Sequence, residues 1–276
     1  MLNLVSNPKS TDNANTNLSM SGLRTPKGNY LCTDDLAKLK KMKDIAVANK
    51  DTTHKYKNVD TADIVQSVGD YLTEQGHEFT TKILLGAAKK SSKHIAEFTI
   101  TNMDLLPEDG GGNGKILVIN SYNGECSLYL LAGAIRFACA NGIISGTKEF
   151  FEKIIHRDGM LLTEKMMMLN EKVQIACEYL KEHFADKVTA MMEQNINFTK
   201  ECEIVLGLNI PNQAKLDVIA KIHPTNRHML RVEDQPQNTW TLFNIINESI
   251  REAARHAVSE LEYNENLMDN VVALAA

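Results

Sequence analysis

Nine apolar residues step by three or four from Leu162 to Met191, at positions 162, 166, 169, 173, 176, 180, 184, 188 and 191. That spacing predicts a single helix of roughly 45 Å, at 1.5 Å rise per residue. Its seam is heptad-like, and a stripe of that length packs either within the chain or against a copy of itself. The methionine runs at 166–168 and 191–192 fit flexible core filling along the same helix. A further helix is expected after Asn238-Thr239, with Trp240, Phe243, Ile246, Ile250, Ala254 and Val258 on one face. Residues 161–276 therefore read as a mainly helical C-terminal region.

The preceding part has a different texture. Residues 1–30 are rich in Asn, Ser, Thr, Gly and Pro without periodicity, as in a disordered N-terminal arm. Residues 31–160 read as an α+β core. Thr33 and the two aspartates after it open a helix running to Ala48, and Asp60 or Thr61 caps a second that ends at Gly76. Phe79–Leu85 and His94–Thr101 form a predicted β-hairpin with "GAAKKSSK" as its tip. A third strand is expected over Lys115–Asn120. The segment "EFFEKIIHR" reads as a short strand or edge piece.

The stretch "VINSYNGECSLYLLAGAIRFACANGII" follows. It reads as strand, polar turn, then a helix over Glu125–Ala140 with Leu128, Leu131, Ala132, Ile135 and Cys139 on the buried face. Asn120, Ser121 and Asn123 would offer side-chain oxygens to that helix's first N–H groups, with Gly124 bending the turn. Asn141-Gly142 would end it in a left-handed stop. Arg136, one turn from the end, suits the helix dipole or a phosphate. The expected fold class is thus α+β: a three-stranded antiparallel sheet backed by helices, followed by the helical region.

Several reaction classes fall away. "DGGGNGK" lacks the first glycine, the Ser or Thr after lysine and the preceding strand of a phosphate loop. "HRDG" stands without the other kinase elements, and there is no GxSxG elbow. The eight histidines are dispersed, so no metal, cofactor or catalytic residue is expected. Cys32, Cys126, Cys139, Cys177 and Cys202 form no CxxC pair and read as reduced thiols. No apolar run approaches ~20 residues and no secretory leader is visible, which points to the cytoplasm and away from membranes.

Charge is unevenly spread. The net charge is −5, yet seven lysines crowd residues 37–57, and the stretch 79–96 has four lysines and no acid. Lys82, Lys89, Lys90, Lys93 and His94 therefore mark a basic hairpin able to follow a phosphate backbone, with Arg136 as a further candidate contact.

Several segments together resemble a phage/plasmid-like protein family of unknown function. "VINSYNGECSLYLLAGAIRFACANGII" is similar to that family's "NSHDG…FRlvCsNG" block. "KHIAEF", "IIHRDG" and "NTWTLFNIINESI" match weaker blocks in the same order, over about residues 54–251. Asn123 stands where the family pattern has Asp, which argues against a metal or proton-handling role for the turn. The order helix, hairpin, strand, helix also resembles the core of single-strand annealing proteins, in which subunits form rings or filaments around DNA. The resemblance implies a phage-type, non-catalytic protein that binds single-stranded DNA or RNA as a homo-oligomer, in strand annealing during recombination or replication. The alternative is a module that binds and modulates a host protein.

Overall fold

The computed structural model describes residues 15–16, 30–49, 59–85, 91–106, 111–136, 141–144, 161–254, 260, 263–264 and 266–276. The architecture is α+β, with an antiparallel sheet whose strand order follows the chain. The strands are β1 (Asn15–Thr16), β2 (Phe79–Leu85), β3 (His94–Asp104), β4 (Gly112–Asn120), β5 (Tyr129–Arg136) and β6 (Asn141–Ile144). β2 to β5 are the long ones, so the sheet is larger than the three strands expected. Asn15 and Thr16 pair with Thr81 and Thr80, and Tyr30 is buried. The expected disordered arm thus contributes an edge strand and a core side chain.

The main correction concerns the segment after the polar turn. No helix spans Glu125–Ala140: Tyr129–Arg136 is β5, paired along its length with β4. Leu128, Leu130, Leu131, Ala132 and Ala134 are all buried, because both faces of the sheet are covered here. A strand buried on two faces reads as a continuous apolar run, and periodicity then fails to separate it from a helix. Arg136 is the last residue of β5, paired with Gly112 and Asn141. Asn141 and Gly142 open β6 and are not a helix stop. Phe137 to Ala140 and the "EFFEKIIHR" segment lie outside the described residues.

One face of the sheet carries Phe79, Ile83, Phe98, Ile100, Ile116, Val118, Leu130 and Ala132 and merges with the main core. Three helices cover it: α1 (Thr33–Asn49), α2 (Thr61–Glu74) and α3 (Leu162–Tyr179). Asp60 caps α2, its side chain accepting from the Ala62 N–H at 3.1 Å. Gly76 ends the following turn with φ +74°. The long helix is present, but its seam is spent inside the chain: Leu169, Val173, Ala176, Leu180, Phe184, Val188 and Met191 are buried in the main core. It consists of α3, a π-turn over Leu180–Phe184, and α4 (Ala185–Glu193). The π-turn has a cause in the sequence. Ala176, Leu180, Phe184 and Val188 take three steps of four, and twelve residues of regular α-helix turn about 1,200°, leaving Val188 about 120° past Ala176. A wider i→i+5 turn takes up the excess and returns the stripe to the sheet.

α5 (Phe198–Gly207), α6 (Asn212–Ile222), α7 (Thr239–Ala253) and α8 (Leu267–Ala275) complete the helical region. The apolar spacing anticipated α7, which Asn238 caps through the Thr241 N–H at 2.8 Å. It is not one-sided: Trp240, Leu242, Phe243, Ile245, Ile246 and Ile250 are buried around most of its girth. Trp240 and Phe243 stack with ring centroids 5.6 Å apart. The neighbouring 223–238 segment is tied down by Arg227, which pairs with buried Glu201 and donates to the Pro236 carbonyl at 3.0 Å.

α1 guards the edge of the sheet beside β1. The Ile83 N–H donates to Asp35 Oδ1 at 3.1 Å, and Lys38 Nζ donates to the Ile83 carbonyl at 3.0 Å. Lys38 and Asp35 are themselves paired at 2.7 Å. The outward N–H and carbonyl of Ile83 are therefore satisfied by side chains, which blunts this part of the edge.

Tyr30 seals the outside of α2. Its ring lies over Gly69, where an added Cβ would fall 2.4 Å from the ring carbons, and its hydroxyl donates to Asp70 Oδ1 at 3.0 Å. Gly69→Ala should displace Tyr30 and destabilise the fold by about 1–3 kcal/mol, read as a lower urea midpoint. Gly69→Ala combined with Tyr30→Ala should lose less than the two single changes summed.

Candidate functional site

The end of the sheet nearest the polar turn holds a buried hydrogen-bonded cluster. Thr61 starts α2, His94 starts β3 and Asn120 ends β4; all three side chains are fully buried. His94 Nδ1 lies 2.8 Å from the Ser92 carbonyl, which can only accept, so Nδ1 carries the proton. Nε2 is then the acceptor, and the Thr61 hydroxyl donates to it across 2.6 Å. Asn120 Nδ2 donates to Thr61 Oγ1 at 2.9 Å and to the Val59 carbonyl at 3.0 Å, while its Oδ1 accepts the Ser121 N–H at 2.8 Å. Because the Ser92 carbonyl can only accept, the directions along this chain of bonds are fixed.

Tyr122 closes the cluster toward solvent. Its ring packs on His94 with centroids 4.8 Å apart, its N–H donates to Ser92 Oγ at 2.9 Å, and its hydroxyl lies 3.3 Å from Asp60. Lys43 of α1 pairs with Asp60 and sits 5.4 Å over the Tyr122 ring. Burial works against charge on Asp60, but Lys43 and the Ala62 N–H outweigh it and hold the carboxyl below its usual range. Burial pushes the Tyr122 phenol up and lowers His94 to about 4.

The "NSYNGE" turn joins β4 to β5 instead of opening a helix. Ser121 Oγ donates to the Cys126 carbonyl and accepts the Cys126 N–H, both at 3.1 Å, standing in for a ladder rung. Asn123 Oδ1 accepts the Glu125 N–H at 3.2 Å, and Gly124 takes φ +82°. Asn120, Ser121, Asn123 and Gly124 thus belong to a connection between two strands and cap no helix. The fully buried members of the cluster, Thr61, His94 and Asn120, present no polar group to solvent. The cluster joins α1, α2, β3, β4 and the turn.

The expected phosphate contacts separate. His94 is enclosed and neutral, so it is removed from that role. Lys82, half exposed, pairs with Glu97 at 2.8 Å. Lys93 is partly buried beside Ser91, and its N–H donates to Ser91 Oγ at 3.1 Å. Lys89 and Lys90 lie outside the described residues. Arg136 sits at the end of β5 and not in a helix.

The second face of the sheet holds a smaller apolar cluster of Ile95, Leu117, Ile119 and Leu131, with Leu84, Cys126 and Tyr129 against it. Strand register puts Lys82, Glu97 and Lys115 on this same face. Glu97 is 2% exposed and is gripped by Lys82 at 2.8 Å and Lys115 at 2.6 Å. Burial disfavours its charge, but the two ammonium groups prevail and lower its carboxyl. Glu97 and Lys115 were not anticipated as partners. The signal was a lone acid inside the apolar strand "HIAEFTI", which becomes meaningful only once the register is known.

Among the described residues no three of His, Cys, Asp and Glu converge as a metal set, and no described helix is long and apolar enough to cross a membrane. Cys32, Cys126, Cys177 and Cys202 are free thiols. The fold and this cluster define a helix-backed antiparallel sheet protein whose polar centre braces the structure. The model of a domain of unknown function, DUF932, matches residues 50–272, and the chain belongs to that family. No curated protein and no solved structure matches it.

His94 makes stability pH-dependent with a definite sign. The unfolded imidazole takes a proton near 6.5, whereas the folded one stays neutral to about 4. The unfolded state therefore binds more protons between those values, so stability is complete above pH 6.5 and falls as pH drops toward 4, by about 3 kcal/mol at most. Urea titrations from pH 7.5 to 4.5 should show this loss, and His94→Gln should flatten it. Thr61→Val leaves His94 Nε2 and Asn120 Nδ2 without their partner, and should cost about 2–4 kcal/mol at pH 7.5.

Proposed function

We propose that this protein binds single-stranded nucleic acid without catalysing a reaction, gripping the phosphate backbone along the β2 edge of the sheet. The observation that carries this reading is the docking of α1 on β2 through Asp35, Lys38 and Ile83. That contact docks a lysine-bearing helix on a lysine-bearing strand about forty residues away in the sequence. Lys40 and Lys41 are exposed on α1, Lys82 is half exposed on β2, and Lys93 follows at the start of the next strand. Ammonium groups on a helix and strand docked together suit a polyanion, because binding releases condensed counterions whatever the base sequence. Strand annealing by an oligomer extends the same reading.

A second reading has one observation in its favour. Leu206, Leu216, Met229 and Val232 are exposed on the helical region, which suits docking of another protein.

Fluorescence anisotropy of a labelled ~30-nucleotide single strand across a salt series separates them. Affinity should fall steeply with salt. Lys40→Gln with Lys41→Gln should weaken binding and reduce the slope of log affinity against log salt by about 1–2. Binding absent at low salt would remove the nucleic-acid reading and leave protein docking.

A further inference from the structure

The long helix carries a second stripe. Its buried seam runs through Leu169, Val173, Ala176, Leu180, Phe184, Val188 and Met191. Two residues of α-helix turn about 200°, so the positions two further on point away from the core. They are Glu171, Ile175, Glu178, Glu182, Asp186, Ala190 and Glu193, and every one is exposed. Most of them are acids. The π-turn that returns the seam to the sheet carries this outer stripe along with it. Glu178, Glu182 and Asp186 follow one another about 6 Å apart along the axis, with Lys181 an exposed cation beside them.

α1 is the complement. Its buried positions, Asp35, Leu39, Met42 and Ala46, leave Leu36, Lys40, Lys41, Asp44 and Val47 on the outer side. Leu36 and Val47 are 38% and 74% exposed, so two apolar side chains frame the lysine pair. The acidic stripe offers Ile175, 38% exposed, among its carboxylates. Among the described residues Lys40, Lys41, Glu182 and Asp186 form no ion pair. Opposite charges with apolar neighbours on two helix faces give a contact its register and its choice of partner. Within one molecule the two faces do not meet. α1 lies against β2 and α3 against β4 and β5, each with its outer side turned from the sheet. A two-fold axis, however, sets α1 of each copy on the stripe of the other and makes the contact twice.

We propose that the outer stripe of the long helix docks on the α1 lysines of a second copy, forming a two-fold dimer through the surface that also takes nucleic acid. A line of carboxylates presents α1 with the same sign of charge as a phosphate backbone, so self-docking and strand binding exclude one another. The self-docking stands on the two helix faces alone; the competition rests on the nucleic-acid reading above.

Sedimentation velocity of the full chain at ~50 mM and ~500 mM salt tests this. Wild type should have the mass of a dimer at low salt and of a monomer at high salt. Glu178→Lys with Glu182→Lys should weaken dimerisation at least about tenfold, as should Lys40→Glu with Lys41→Glu. Urea midpoints should stay near wild type, because all four side chains are exposed. An equal mixture of the two reversed proteins should recover the dimer, since each supplies the charge that the other lacks. A ~12-nucleotide oligothymidylate should convert the wild-type dimer to a monomeric complex. A wild type that is monomeric at low salt yet binds oligothymidylate would overturn the self-docking and leave the binding role standing. Failure of the mixture to recover the dimer would overturn the self-docking too. A dimer that responds to salt and charge reversal as described, but binds no oligothymidylate, would overturn the binding role and leave the self-docking.

Discussion

The bond between the Thr61 hydroxyl and His94 Nε2 governs much of this architecture. It joins the first residue of α2 to the first residue of β3, and Asn120 extends it to the last residue of β4. Three elements thereby meet in a fixed register at one end of the sheet. Burying three polar side chains there is tolerable only because every directional partner is present; removing one costs the desolvation of the others. The neighbouring turn, α1 and Asp60 are arranged around that hub. In the central sequence block Asn120, Ser121 and Tyr122 are enclosed, and their hydrogen bonds connect the turn to the hub.

Around this hub the two faces of the sheet are treated differently. One is a continuous hydrophobic interior shared with α2, α3 and α7. The other pairs a modest apolar cluster with a buried acid held by two lysines. An apolar residue at Glu97 would be expected to stabilise at least as well, since burying charge returns little net energy.

Much of the fold was legible because its elements carry their own signals. α1, α2, the β2–β3 hairpin, the long helix and α7 follow from caps and spacing. β5 was not, since burial on both faces removes the alternation that marks a strand. The seam of the long helix was legible as a stripe, yet its partner was ambiguous between this chain and a copy until the sheet supplied the matching surface. The site was less legible. Lys82, Lys115 and Glu97 lie far apart in sequence, and only strand register unites them. His94 looked like one more cation in a basic run, because nothing local reveals that Thr61 and Asn120 enclose it. The turn residues were recognised as structural, though the element they introduce was mistaken.

The edge guard at Ile83 has a consequence for assembly. Its N–H and carbonyl are already engaged by Asp35 and Lys38, so a second molecule cannot prolong the sheet there by backbone pairing. Any ring or filament built on that side must be joined by side-chain surfaces, and its subunits must remain separate sheets.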